Sequence, residues 1–242
     1  VEQLLIIAAA ALWGGGTGLL IPRAAYRFSV APDERWRAAC PAGHPITGLG
    51  RGWIGRARCA DGTPYGPNAP ILAAVTALVC ATLASATGIR PELGVWLLLV
   101  PIGVLLATVD LAAHRLPDVL TLPLATAALT LLAVTTLLPG TEGRWTTALL
   151  GSVVLAVGYF ALFLISPKGI GFGDVKLAIG LGAVLGWYGW AIVLVGSLAG
   201  FLLGALYGVG LILARRASRT TSIPFAPFLL GGALIGIFLG AQ

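Results

Sequence analysis

Charged residues divide this chain into long apolar stretches. Uncharged windows run over 3–22, 62–89, 93–109, 119–141, 145–167, 177–214 and 220–242, and most match the roughly 20 apolar residues that a membrane-spanning helix needs. Runs such as Val95–Val109 and Leu149–Ile165 do not alternate, which excludes a membrane barrel built from alternating segments of about 10 residues. The window 177–214 is nearly twice one span, and Gly186-Trp187-Tyr188-Gly189-Trp190 at its middle reads as a turn at the membrane interface. The pattern therefore predicts an all-α fold, a polytopic bundle of about eight transmembrane helices over 3–21, 70–88, 93–110, 119–138, 145–165, 175–187, 190–214 and 223–241, the sixth of them short. No small-residue cleavage site leads from the first window into a soluble domain, so that window reads as a retained anchor.

Composition sharpens the picture. The chain is 58% hydrophobic and 10% charged, against roughly 25% charged in a soluble protein. Loops taken alternately separate the basic residues: Arg23, Arg27, Arg35, Arg37, Arg51, Arg56, Arg58, Arg115, Lys168, Lys176, Arg215, Arg216 and Arg219 fall on one side, and only Arg90 and Arg144 on the other. Short cytoplasmic loops are enriched in Lys and Arg. The expected topology has the N-terminus outside and loops 22–69, 111–118, 166–174 and 215–222 in the cytoplasm. It divides the chain into a first transmembrane helix (1–21), a cytoplasmic loop domain (22–69) and a seven-helix membrane domain (70–242). The net charge of +6 is then an insertion signal, with the lipid bilayer as partner and no nucleic acid. No internal repeat is apparent, and three cysteines with Cys80 in an apolar window indicate no disulfide framework.

The acidic residues carry the candidate chemistry. Glu2, Glu92 and Glu142 fall in outer tails or loops, and Asp33, Glu34 and Asp61 in the long loop, where a solvated role is expected. Asp110, Asp118 and Asp174 each stand at the cytoplasmic end of an apolar helix, where an ionisable residue is a functional candidate. For Asp118, just before the span that begins at Val119, the competing reading is an N-cap. Asp110 ends Val104-Leu-Leu-Ala-Thr-Val109 without a break, at a helix C-terminus that disfavours negative charge, so its placement needs a reason. Asp174 closes Gly169-Ile-Gly-Phe-Gly-Asp174 and opens a helix, where free N–H groups and the dipole stabilise a carboxylate. Gly171 and Gly173 are expected to permit unusual backbone angles and the close approach of an extended peptide. A phosphate-binding loop is disfavoured, since G-x-x-x-x-G-K-[ST] is absent and an acid stands where an anion would dock.

The 64 residues from Asp110 to Asp174 accommodate a turn, two spans and an outer loop, which returns the chain to the same face. Two carboxyls meeting in an apolar site share a proton; one deprotonates water while the other protonates a scissile carbonyl. Such proteolysis needs no metal and no covalent intermediate, and the chain has only two histidines and no H-E-x-x-H. His114, four residues from Asp110, is close enough to pair with it if the helix continues; the competing and favoured reading is a residue of the cytoplasmic interface. Lys176 either holds Asp174 ionised or reaches to the headgroups.

Asp110-Leu-Ala-Ala-His-Arg-Leu-Pro-Asp118-Val-Leu-Thr-Leu-Pro, Gly171-Phe-Gly-Asp174-Val-Lys-Leu and Ile223-Pro-Phe-Ala-Pro-Phe together resemble the prepilin peptidases, or type IV leader peptidases, of the GxGD membrane aspartic proteases. Gly14-Gly-Gly-Thr-Gly-Leu-Leu-Ile-Pro-Arg23 looks like a drifted form of that family's opening segment, so the likeness covers nearly the whole chain. The resemblance implies eight spans in the cell membrane, catalytic Asp110 and Asp174, and cleavage of a basic leader from prepilins or pseudopilins on the cytoplasmic side. Many members also N-methylate the new N-terminus with S-adenosylmethionine and carry two C-x-x-C pairs in the first loop. Here those read Cys40-Pro-Ala-Gly43-His44 and Cys59-Ala-Asp-Gly62, each with glycine in place of its second cysteine. A four-thiolate zinc site cannot form; a mixed set of Cys40, His44, Cys59 and Asp61 is chemically feasible, but metal-free packing is the expectation, and S-adenosylmethionine is implied only if methylation survives. The competing readings are a polytopic ion or solute transporter, whose acids would lie at mid-membrane, and a presenilin-like GxGD protease, whose first aspartate follows tyrosine where Asp110 follows Val109.

Overall fold

A computed structural model describes all residues except 32, 168 and 216–222. Its described residues form ten helices and no strands: α1 (Glu2–Gly18), α2 (Ile21–Phe28), α3 (Leu49–Gly52), α4 (Ala69–Thr87), α5 (Glu92–Ala113), α6 (Asp118–Thr135), α7 (Trp145–Ile165), α8 (Phe172–Trp187), α9 (Trp190–Leu213) and α10 (Ala226–Gly240). Five of these, α4, α5, α6, α7 and α9, are long and apolar enough to cross a bilayer. The first apolar window is not one straight span. It breaks after Gly18, and α2 leaves at 42° to α1, so the two together make a sixth candidate. Pro22 sits in the first turn of α2, where a missing N–H costs nothing, and so marks a new helix start. α8 and α10 are shorter than a full span, so the described helices give five to six candidate spans where eight were expected. Basic residues 168, 216 and 219, used in the topology argument, lie outside the described residues.

α8 occupies the centre, packed on α7, α6, α10 and α9. Its residues from Leu177 to Trp187 are almost all buried, which explains how a helix of 16 residues serves here: protein, not lipid, surrounds it. Small residues allow the contacts. A Cβ on Gly182 would stand 2.3 Å from the Gly151 carbonyl oxygen of α7, and one on Gly14 would stand 2.5 Å from the Thr76 carbonyl oxygen, so α7 meets α8, and α1 meets α4, backbone to backbone.

The loop domain hides a repeat that the sequence reading missed. Arg37-Ala-Ala-Cys-Pro-Ala-Gly-His-Pro45 and Arg56-Ala-Arg-Cys-Ala-Asp-Gly-Thr-Pro64 fold as two equivalent hairpin turns. In each, the cysteine N–H donates four residues ahead, to His44 O at 2.9 Å and Thr63 O at 2.8 Å, and the glycine N–H donates back to the cysteine carbonyl. Gly43 (φ 81°) and Gly62 (φ 84°) take the left-handed conformation these turns demand, which cysteine would adopt only with strain. Arg115 ties this domain to the membrane bundle by donating to the carbonyls of Val30 (3.1 Å) and Ala31 (2.7 Å).

Candidate active site

The C-terminal end of α5 and the N-terminal ends of α6, α8 and α10 meet at one end of the bundle. Asp110 lies one turn before the end of α5 and is only 5% exposed. Its Oδ2 accepts the Ala226 N–H at 2.9 Å, a free donor in the first turn of α10. This answers why an acid stands at the unfavourable end of α5: another helix N-terminus faces it. Ile223-Pro-Phe-Ala-Pro-Phe carries that donor, and nothing in its apolar side chains announces the role. Asp174 is the third residue of α8, 7% exposed, and its Oδ2 accepts the Gly171 N–H at 3.0 Å. The helix begins at Phe172, three residues before the predicted start, because this bond closes its first turn. The two carboxyls lie close enough for their charges to interact, and buried Tyr159 of α7 is within the same reach of Asp174. Leu106, Leu116, Val175 and Ala226 belong to the apolar cluster around them.

Several expectations are corrected. Gly171 has an ordinary extended backbone (φ −76°), and Gly173 is helical, so neither uses a conformation reserved to glycine. What Gly173 provides is proximity: a Cβ there would stand 2.9 Å from Cβ of Leu116, on the turn between the two candidate acids of α5 and α6. Asp118 does not cap α6; it is the first residue of that helix, after Pro117, and its carboxylate instead accepts from Lys176 at 2.6 Å. Lys176 therefore pairs with Asp118 and not with Asp174. It links α8 to α6 and lies 4.8 Å over the Phe172 ring. The helix does not continue through His114, which takes a left-handed conformation (φ 48°) as the C-cap of α5 and gives its backbone N–H to the Asp110 carbonyl at 2.8 Å. Glu92, expected in solvent, is fully buried in the first turn of α5 with neither carboxylate oxygen partnered; by contrast Glu142 is exposed and pairs with Arg90 at 3.0 Å.

In the loop, three of the four candidate ligands converge. Cys40 Sγ is 3.7 Å from His44 Nδ1, and the donor atoms of Cys40, His44 and Cys59 lie within 4.8 Å of one another. Metal–ligand bonds of about 2.0–2.3 Å need donors only slightly closer, so this set fits a soft divalent ion with one position open. Asp61 is not part of it: its carboxylate accepts from the Thr63 hydroxyl and N–H, which hold it below the usual carboxylate range. Burial opposes ionising Cys40, but hydrogen bonds from Cys59, the Ala42 N–H and His44 outweigh it and bring that thiol down to about 7. Burial and the Cys40 neighbour push Cys59 up.

Fold and site together define an integral membrane helix bundle with a pair of buried carboxyls gathered at one end. Comparison with known proteins narrows the class to one family. Residues 97–241 match the type IV leader peptidase family, and the chain belongs to it. It is 37% identical to the prepilin leader peptidase/N-methyltransferase of Aeromonas hydrophila, covering 90% of this chain and 80% of that relative. Proteins of the same name from Aeromonas salmonicida (strain A449), at 35% over 86% of this chain and 75% of the relative, and Pseudomonas aeruginosa, at 32% over 73% and 60%, are also similar. No solved structure matches the chain.

Proposed function

We propose that this chain is a membrane-embedded aspartic endopeptidase that removes the basic leader of type IV prepilins or pseudopilins, with catalysis in 70–242 and Asp110 and Asp174 as the working pair. The observation that supports the reading is that both acids are buried at one end of the bundle, Asp110 accepting from the Ala226 N–H and Asp174 from the Gly171 N–H. The neighbouring Lys176 and Asp118 pair with each other. Two carboxyls in apolar surroundings cannot both ionise readily. They hold one proton between them: the ionised member takes a proton from water, and the protonated member gives one to the carbonyl oxygen of the scissile bond, producing a tetrahedral intermediate. The proton gained from water then passes to the departing amine as the C–N bond breaks, and a hydroxyl of the intermediate returns its proton to the other carboxyl as the new carboxyl group forms, which restores the pair. The backbone donors, Ala226 for Asp110 and Gly171 for Asp174, fix the carboxyls in place.

The transporter alternative has no support from the positions of the acids, which gather at one end of the bundle. The relatives' name adds an N-methyltransferase activity, whose methyl donor would be S-adenosylmethionine. The polar cavity of the loop domain, between Arg23, Cys40, Arg58 and Tyr65, is only about 140 Å³, below the roughly 300–1,000 Å³ of ligand sites for molecules of that size. A second cavity, within the bundle, is apolar. Neither of these two cavities offers such a molecule both the volume and the polar lining it needs. Three loop donors, Cys40, His44 and Cys59, would hold a metal, which would brace the paired hairpins and take no part in cleavage.

The distribution of basic residues supports a cytoplasmic location for the acids, where a basic leader would be retained by the same electrostatics. Incubating purified protein with a prepilin and weighing the mature N-terminus by mass spectrometry tests the activity: a leader-sized loss is expected, and an intact substrate contradicts it. In a cysteine-free background, a cysteine at Ser166 should be shielded from an impermeant thiol reagent in intact cells and one at Glu142 labelled. The reverse pattern inverts the topology.

A further inference from the structure

One large apolar cleft, about 460 Å³, lies between α4, α5, α8 and α10 with a wall from α6. Along α5 its lining runs from Trp96 to Leu111 on one helical stripe. At about 1.5 Å per residue that stripe is roughly 22 Å long, most of the roughly 30 Å hydrocarbon core. The cleft is dry in character. Its one hydroxyl, on Thr108, donates to the Val104 carbonyl at 2.7 Å, and the Trp96 indole N–H donates to the Tyr188 hydroxyl at 3.3 Å. Neither polar group is free for an occupant. One rim is open, with Val75 43% and Leu111 56% exposed, so that a segment already within the bilayer enters sideways.

The position of the lower end sets the occupant. Thr108 and Leu111 flank Asp110, and Pro227 follows Ala226, whose N–H holds the Asp110 carboxylate. Neither acid lines the cleft itself, but its lower end stops next to Asp110 on α5 and next to Ala226 on α10. We propose that this cleft is the docking groove for the apolar helix of the substrate, the roughly 15 residues that follow the scissile bond, with α4 and α10 as its two walls. The inference rests on the leader peptidase reading and adds the membrane-side half of the substrate site. The leader stays in water near the basic loops, the apolar helix lies along α5, and the bond between them is held at Asp110. A lipid chain also matches an apolar cleft, but it has no reason to end at a buried acid pair.

The test uses the full chain in detergent with a full-length prepilin. A photoreactive phenylalanine analogue is placed at Val75 or Leu230, in the cleft, and at Val157 or Leu198, which face outward from α7 and α9 and are 62% and 66% exposed. Each sample is scored for cleavage before illumination, which confirms folding. The expected result is an adduct to the apolar segment of the pilin from Val75 and Leu230 and none from the two outward positions. Adducts to lipid or detergent alone from the cleft, or pilin adducts from α7 or α9, in protein that still cleaves, overturn the groove and leave the leader peptidase reading standing. Absence of cleavage in every sample, the unaltered protein included, would instead remove the reading on which the groove rests.

Discussion

Replacing Gly173 by alanine should damage the protein far more than replacing Gly171, although both glycines belong to one short motif. The added Cβ at 173 would lie 2.9 Å from Cβ of Leu116 and 3.4 Å from its Cγ and Cδ1, whereas carbon atoms rest at about 3.5–4.0 Å. One of the two elements must then move by about 0.5–1 Å: the start of α8, which carries Asp174, or the turn after α5, which carries Asp110. Overpacking of this kind costs about 1–3 kcal/mol, and a shift of about 1 Å in reacting groups costs about 100-fold in rate. At Gly171 the added Cβ would find Asp174 Oδ2 at 3.4 Å, an ordinary contact, with a backbone that alanine adopts freely. Cleavage of a short soluble leader peptide, followed as kcat/KM alongside the midpoint of thermal inactivation, separates the two. Gly173→Ala is expected to lose about 100-fold and Gly171→Ala less than about tenfold. The clash is with Cβ, so Leu116→Ala would not relieve it; Leu116→Gly would, and a double-mutant cycle between positions 116 and 173 should show a favourable coupling of about 0.5–3 kcal/mol. Wild-type activity in Gly173→Ala, or no coupling with Leu116→Gly, refutes the packing argument.

Glu92 is fully buried and unpartnered at the start of α5; Glu92→Gln keeps its shape and should leave thermal stability near that of the parent, whereas Glu92→Lys buries a cation against the helix dipole and should cost about 3 kcal/mol or more, read as loss of folded protein in detergent. The Lys176–Asp118 pair has one partner 59% exposed, so Lys176→Ala should lower stability by less than about 1 kcal/mol and leave peptide cleavage within a few-fold; a total loss of activity would show that Lys176 acts on the dyad after all. Because the thiolate is the nucleophile, alkylation of Cys40 should rise with pH through about 7, ahead of Cys59, whose thiol ionises only above the usual range. One equivalent of zinc should protect both thiols, and equal modification of the two at neutral pH, zinc or no zinc, would contradict the three-donor arrangement.

The apolar segments were legible because hydropathy reports the transfer of side chains into lipid, and charge spacing alone marked nearly every helix from α4 to α10. Hydropathy carries no information on hydrogen bonds, which is why the break between α1 and α2 and the early start of α8 at Phe172 escaped it. Asp110 and Asp174 stood out as acids without local reason. Their holders did not, since both are backbone N–H groups, one of them more than a hundred residues away on α10. Asp118 and Lys176 lie 58 residues apart, and only the packing of α6 on α8 reveals them as partners. Glu92 was misread because a position near a loop was taken as solvent, while the fold buries it completely in the first turn of α5. The hairpin repeat in the loop is shared only through an arginine, an alanine, a cysteine, a glycine and a proline, too few side chains to register before the backbone bonds were seen.

The central claim is that Asp110 and Asp174 form the working pair. It is tested most directly by intact-mass analysis of one prepilin incubated with four purified proteins: the parent, Asp110→Asn, Asp174→Asn and Asp118→Asn. Asparagine preserves size and the ability to accept from Ala226 or Gly171 while removing the titratable carboxyl. The parent and Asp118→Asn should release the leader, and Asp110→Asn and Asp174→Asn should leave the prepilin at full mass while inserting and folding as the parent does. Leader release by either of the latter two at the parental rate would contradict the paired-carboxyl account.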